Sequence, residues 1–181
     1  MMGNKKSLKS SPTIPGLSAD IARFVEDFQK ETDRGAALAA AAFLDDVLTA
    51  MLCAAFIDDP KTATRLLEYP GPISTFGARA DLAYAMGLLG PKLHADLKVV
   101  RDIRNHFAHS HSPVTFDDPA IVGLCRGLQT DFLHQNDSAM EPRFRFICGT
   151  CALAVQITMH GLSLKHAPTG KDFTLGQVVR V

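Results

Sequence analysis

The stretch GAALAAAAFLDDVLTAMLCAAFI, residues 35–57, restricts the possible folds of this chain more than any other segment. Its length alone would let a helix cross a bilayer, which takes about 20 apolar residues. Two acidic residues, Asp45 and Asp46, lie at its centre, where a carboxylate in lipid is costly. Alanine dominates the stretch and suits a helix packed closely against other helices. We therefore expect the central helix of a soluble bundle and no membrane partner.

Elsewhere, apolar residues recur at helical spacing, and the breaks between them carry helix-starting signals. Proline occupies the expected first helical position after Asp59, Gly90, Asp118 and Glu141. The segment after Asp118 predicts a helix that continues through Leu124 and Leu128 to Phe132. No run outside the C-terminal tail alternates convincingly as a strand does.

The sequence therefore predicts an all-α, single-domain helical bundle of about six or seven helices. We place this bundle at residues 17–166, after a flexible leader over residues 1–16. The tail, residues 167–181, ends in DFTLGQVVRV, which fits either a short strand or an extended arm.

Charge and cysteine content narrow the function classes. The 19 Lys and Arg residues balance the 19 Asp and Glu residues, whereas a protein that binds duplex DNA through phosphates usually has a basic face. We find no helix-turn-helix signal and expect no direct nucleic-acid binding. The four cysteines lie in apolar helical patterns with no signal peptide before them, which favours reduced thiols in the cytoplasm. The lone pair Cys148 and Cys151 lacks a second CxxC, so we expect no metal and no cofactor.

The stretch VVRDIRNHFAHSHSP, residues 99–113, gathers polar side chains near the expected end of a helix. Arg104 falls within the apolar stripe of that helix, and a buried guanidinium needs carboxylate or carbonyl partners. We predict that Arg104 belongs to a structural polar network with Asp45, Asp46 or Asp81, each on a mostly apolar helix.

An alternative interpretation of the same stretch is catalytic. Arg104 could hold a phosphodiester while His109 moves a proton, which would cleave RNA without a metal. Five residues separate the two, so on a continuous helix they point about 140° apart. They converge only if the helix ends between them or if a second chain supplies one of them. A metal site from His106, His109 and His111 is not expected, because a helix would fan the rings apart.

A third candidate region is YPGPISTFGARADLAY, residues 69–84. Tyr69, Phe76 and Arg79 are its candidate partner-binding residues, since ordered loops often carry binding side chains. The alternative is structural: the segment caps two helices and buries Phe76.

Two resemblances bear on function. The motif RNHFAH resembles the R-N-x-x-x-H signature of HEPN domains, which are small helical bundles, often dimeric and frequently metal-independent ribonucleases. That resemblance implies catalytic roles for Arg104, Asn105 and His109 at a dimer interface.

A longer resemblance runs from about residue 20 to 165. DRGAALAAAAFLDDVLTAML, LLEYPGPISTFGARADLAYAMGLL and DLKVVRDIRNHFAHS are similar to the mannitol operon repressor (MtlR) family of bacterial regulators. The resemblance implies an all-helical regulator of carbohydrate uptake genes that lacks a DNA-binding domain. With the neutral charge balance, it favours a homodimer that acts through a protein partner, possibly a DNA-binding or sugar-transport regulatory protein. We favour this non-enzymatic interpretation over the ribonuclease.

Overall fold

The structure is a computed structural model, and it describes residue 28 and residues 30–129 and 140–170. These residues form six helices and no strand. In chain order the helices are α1 (Asp33–Ala55), α2 (Pro60–Leu67), α3 (Phe76–Ala85), α4 (Pro91–His109), α5 (Pro119–Arg126) and α6 (Pro142–Ser163). The prediction of an all-α bundle is confirmed. The leader, Phe132 and the DFTLGQVVRV segment lie outside the described residues.

Local capping explains where the helices begin. The Thr32 hydroxyl accepts the N–H of Gly35 at 3.1 Å and starts α1, while the Asp59 carboxylate accepts the N–H of Lys61 at 3.1 Å and starts α2. Such side chains satisfy N–H groups that have no acceptor within the helix. Proline occupies the first turn of α2, α4, α5 and α6, as the sequence predicts.

The alanine-rich α1 runs through the middle of the molecule and packs against α3, α4 and α6. Ala36, Ala37 and Ala40 are fully buried, which lets the neighbouring helices come close. On α6, a Cβ at Gly161 would lie only 3.5 Å from Met51 of α1. Among the described residues, α1 and α6 alone are long and apolar enough to span a membrane by length and composition. Each buries one face in the protein core instead.

The helix after Asp118 ends at Arg126, earlier than the sequence predicts. At this end the buried guanidinium of Arg145 of α6 donates to the carbonyls of Cys125 at 2.8 Å and Leu128 at 3.2 Å. The carbonyl of Cys125 also accepts the N–H of Leu128 at 3.3 Å, in a tighter turn than an α-helix makes. Leu128 then turns into the core, so the last turn of α5 is fixed to α6.

Candidate functional site

Arg104 does not lie where the sequence predicts. It is exposed on α4, and its Nη1 donates to Oδ1 of the adjacent Asn105 at 3.1 Å. The buried positions of this part of α4 are Val100, Ile103 and Phe107, and Arg104 is one helical step of about 100° beyond Ile103. The prediction that Arg104 is buried against a carboxylate is therefore wrong.

A partly buried ion pair is made by another arginine. Nη1 of Arg79, a side chain only 11% exposed, lies 2.5 Å from Oδ2 of Asp45 on α1. The Nη2 atom of the same guanidinium donates to the carbonyl of Leu67 at 2.6 Å. Arg79 thus joins α3 to both α1 and the end of α2. Asp45 thus pairs with Arg79, which the sequence had suggested for partner binding, and not with Arg104.

Asp46 and Asp81 are not part of that pair. Asp46 is exposed on α1. Asp81 lies on the outer side of α3, where its Oδ1 is 2.7 Å from Nε2 of His94 and 3.8 Å from Nζ of Lys98. The hydrogen bond from His94 holds the pKa of the Asp81 carboxyl below its usual value, and the nearby Lys98 charge acts in the same direction. This contact links α3 to the start of α4, and the predicted network of three acids around Arg104 does not form.

The alternative catalytic set is not assembled within one chain. Helix α4 continues without a break through His109, so His109 and Arg104 diverge around it. Both side chains are exposed, yet only Arg104 and Asn105 line the groove described next. A site that uses Arg104 with His109 would require a second chain.

A groove of about 940 Å³ lies between α1, the first turn of α3 and α4. Its α4 wall carries Arg101, Arg104 and Asn105, while Asp45 lies on its α1 side. Sequence reasoning had not identified Arg101 as a site residue, because it becomes one only when α3 packs beside α4.

The loop between α2 and α3 is ordered and presents an aromatic side chain. Tyr69 is 91% exposed. The loop around it is held by hydrogen bonds from the N–H of Ile73 to the carbonyl of Leu66 at 3.1 Å and from Gly71 to Glu68 at 2.6 Å. A Cβ at Gly71 would overlap these carbonyls, so the tight turn requires glycine. Phe76, the other aromatic candidate, is half-buried and lines the groove.

The thiols show no sign of an activated site. All four cysteines are free, and Cys148 and Cys151 do not form a disulfide. Burial raises the pKa of Cys151 to about 11 and that of Cys125 to about 12, whereas a reactive cysteine needs a lowered pKa. Within the described ranges, no group of three or more His, Cys, Asp or Glu side chains is arranged to hold a metal ion.

Comparison with known proteins gives one family and a shared fold. The family model described as mannitol repressor matches residues 23–142. The structure of the MtlR–HPr complex from Escherichia coli is similar with a TM-score of 0.64 and 18% identity, over 77% of this chain and 99% of that one. A possible transcriptional regulator, YggD from Shigella flexneri 2a, is similar with a TM-score of 0.57 and 17% identity, over 80% and 96%. No curated protein matches. At such identities the two structures establish a common fold.

Proposed function

Because the chain belongs to the mannitol repressor family, we propose that this transcriptional regulator acts by binding another protein and not by binding DNA. Its site of action is the cytoplasm, and its targets are carbohydrate uptake genes. The working form is a homodimer, as the sequence predicts.

The charge distribution supports a mechanism without direct DNA contact. The 19 basic and 19 acidic residues cancel over the whole chain. Arg79 is neutralised by Asp45, and Arg143 donates to Asp33 at 2.6 Å. DNA binding depends on basic side chains that replace counterions on many phosphates, and these arginines are engaged inside the protein.

The proposal that the protein binds a partner rests on Tyr69. A large aromatic side chain that is 91% exposed contributes nothing to the core, and the hydrogen bonds of its loop fix the backbone around this position. Tyrosine is among the residues that dominate binding energy at protein interfaces, because it buries a large area at little entropic cost. We therefore propose Tyr69 as the anchor of the partner-binding surface. Phe76 lies at the other end of the same loop, and Arg79 stabilises the loop from inside.

The partner we propose is a DNA-binding or sugar-transport regulatory protein. The Escherichia coli MtlR structure holds HPr, which supports a protein as the partner class and makes HPr the first candidate to test. The regulator would then control transcription through the amount of partner that it binds.

Binding of purified HPr to the full chain tests this proposal by isothermal titration calorimetry. We expect a stoichiometric complex with the wild-type protein. Tyr69→Ala should weaken it by about 30-fold, which corresponds to about 2 kcal/mol for an interface anchor. Met159→Ala is the matched control, because Met159 is a 48% exposed apolar side chain on α6, and it should bind as the wild type does.

An electrophoretic mobility shift assay tests whether the protein binds DNA directly. We expect no mobility shift of operator-sized duplexes beyond weak, salt-sensitive binding. Sequence-specific DNA binding by the isolated chain would contradict the proposal. Equal HPr affinity for Tyr69→Ala and the wild type would remove Tyr69 as the anchor.

A further inference from the structure

The groove between α1, α3 and α4 gathers hydrogen-bond donors on one side. Arg101 uses Nε and Nη2 to contact Asp102 Oδ1 at 3.1 and 3.0 Å, which leaves Nη1 directed elsewhere. Arg104 contacts only its neighbour Asn105 among the contacts of the described residues. Since Asn105 accepts through Oδ1, its amide hydrogens remain able to donate. All three side chains line the groove.

The first turn of α3 adds more donors. The Thr75 hydroxyl caps this turn by accepting the N–H of Ala78 at 3.2 Å. The N–H groups of Phe76 and Gly77 have no acceptor within the helix, as is true of the first residues of any helix. Phe76 and Gly77 line the groove together with Thr75 and Ser74.

The guanidinium of Arg101 is paired with Asp102 through Nε and Nη2, and its Nη1 lies beside the first turn of α3. A Cβ on Gly77 would lie 3.5 Å from Nη1 of Arg101, so the guanidinium rests beside the first turn of α3. A helix N-terminus carries partial positive charge and favours an anion, yet the first turn of α3 has no acidic residue. Asp45, the acid that lines the groove, has its charge compensated by Arg79 at 2.5 Å. The positive end of α3 and Nη1 of Arg101 thus face the same space, and the two nearby carboxylates, Asp45 and Asp102, each pair with an arginine.

From this geometry we propose that the groove binds a small organic phosphate monoester, with the phosphate held by Arg101, Arg104, Asn105 and the first turn of α3. Guanidinium groups and helix N-terminal N–H groups are the donors best suited to phosphate oxygens. The proposal adds a small-molecule site to the regulator and does not depend on its protein partner.

The size of the groove argues for an organic ligand and against free phosphate. Its volume of about 940 Å³ is at the upper end of the range of about 300–1,000 Å³ typical of small-molecule sites. A bare phosphate would leave most of that space as water. Apart from Asp45, the α1 wall carries apolar side chains, Leu38, Ala41 and Ala42, and the half-buried Phe76 also lines the groove. This side of the groove suits the carbon skeleton of the ligand.

Phenyl phosphate is the probe, titrated into the full chain by calorimetry at low ionic strength. We expect it to bind at least about tenfold more tightly than inorganic phosphate, and phenol to show no heat of binding. Arg101→Met and Arg104→Met should each weaken phenyl phosphate by about tenfold. Both side chains are at the surface, so the variants should fold, which circular dichroism checks.

Arg126→Met is the matched control, since Arg126 is an exposed arginine on α5 and does not line the groove. It removes the same charge and should change the affinity by less than about twofold. A second readout is the amide resonance of Gly77, which should shift with phenyl phosphate and stay unchanged with phenol.

Three results would overturn the proposal: no phenyl phosphate binding in the millimolar range, inorganic phosphate binding equally well, or equal losses in Arg126→Met and the two groove variants. HPr binding measured on the same samples distinguishes a failure of the phosphate proposal from a failure of the regulator proposal. The Tyr69 surface and the groove are tested by different ligands.

Discussion

Arg79→Met should destabilise the protein strongly, whereas the same substitution at Arg104 should be nearly silent. Methionine keeps the aliphatic stem and removes the charge, so each variant isolates the guanidinium. Arg79 is 11% exposed and joins Asp45 to the end of α2. Arg104 is exposed and contacts only Asn105 among the contacts of the described residues.

The expected magnitude follows from the contacts that are lost. Removing one member of a buried ion pair costs about 3–5 kcal/mol, and a hydrogen bond to a charged group contributes about 1.5–3 kcal/mol. Two features lower the figure for Arg79: Asp45 is 30% exposed and can be partly hydrated, and Nε of Arg79 has no partner in the folded protein. We expect Arg79→Met to lower the free energy of unfolding by about 2–3 kcal/mol. For Arg104→Met we expect a change within about 0.5 kcal/mol.

Urea unfolding followed by circular dichroism at 222 nm measures both values. Arg79→Met combined with Asp45→Asn completes a double-mutant cycle, and we expect a coupling of at least about 1 kcal/mol. Asp46→Asn is the matched control, because Asp46 is exposed beside Asp45 on α1. Equal losses for Arg79→Met and Arg104→Met, or no coupling in the cycle, would refute the assignment of the internal ion pair.

The remaining predictions concern α6, the thiols and catalysis. Arg145→Met should cost about 3 kcal/mol or more in urea unfolding, because the carbonyls of Cys125 and Leu128 each lose a charged hydrogen-bond donor; a fully stable variant would contradict this. Cys125 and Cys151 should react with a disulfide reagent far more slowly in the folded protein than in urea, since burial raises the pKa of both above 9.0. For the same reason their contribution to folding stability is present below about pH 9 and is lost as the pH rises through their folded pKa values. RNA incubated with the protein and a chelator should stay intact; cleavage that disappears in His109→Ala would revive the ribonuclease interpretation.

Much of the fold could be predicted from the sequence because its signals are local. A capping side chain such as Thr32 or Asp59, and a proline such as Pro91, act within one helical turn. The central position of α1 likewise follows from its own alanine content, which permits close packing on several sides.

The side chains that compensate buried charge could not be predicted in the same way. Arg104 sits at the edge of the apolar stripe of α4, where a small rotation of the helix decides between core and solvent. Arg145 lies four residues before Gly149 on the same buried face of α6. Its acceptors are carbonyls near the end of another helix, and nothing in the sequence pairs those two segments. The groove could not be predicted for the same reason, since Arg101 contacts the region of Gly77 only after α3 and α4 pack together.

Hydrogen–deuterium exchange of the full chain with and without HPr tests most directly whether the regulator works through a protein docked at Tyr69. We expect slower exchange on complex formation in peptides that cover residues 68–75, and no such change in Tyr69→Ala. Protection confined to other parts of the chain, or none at saturating HPr, would contradict it.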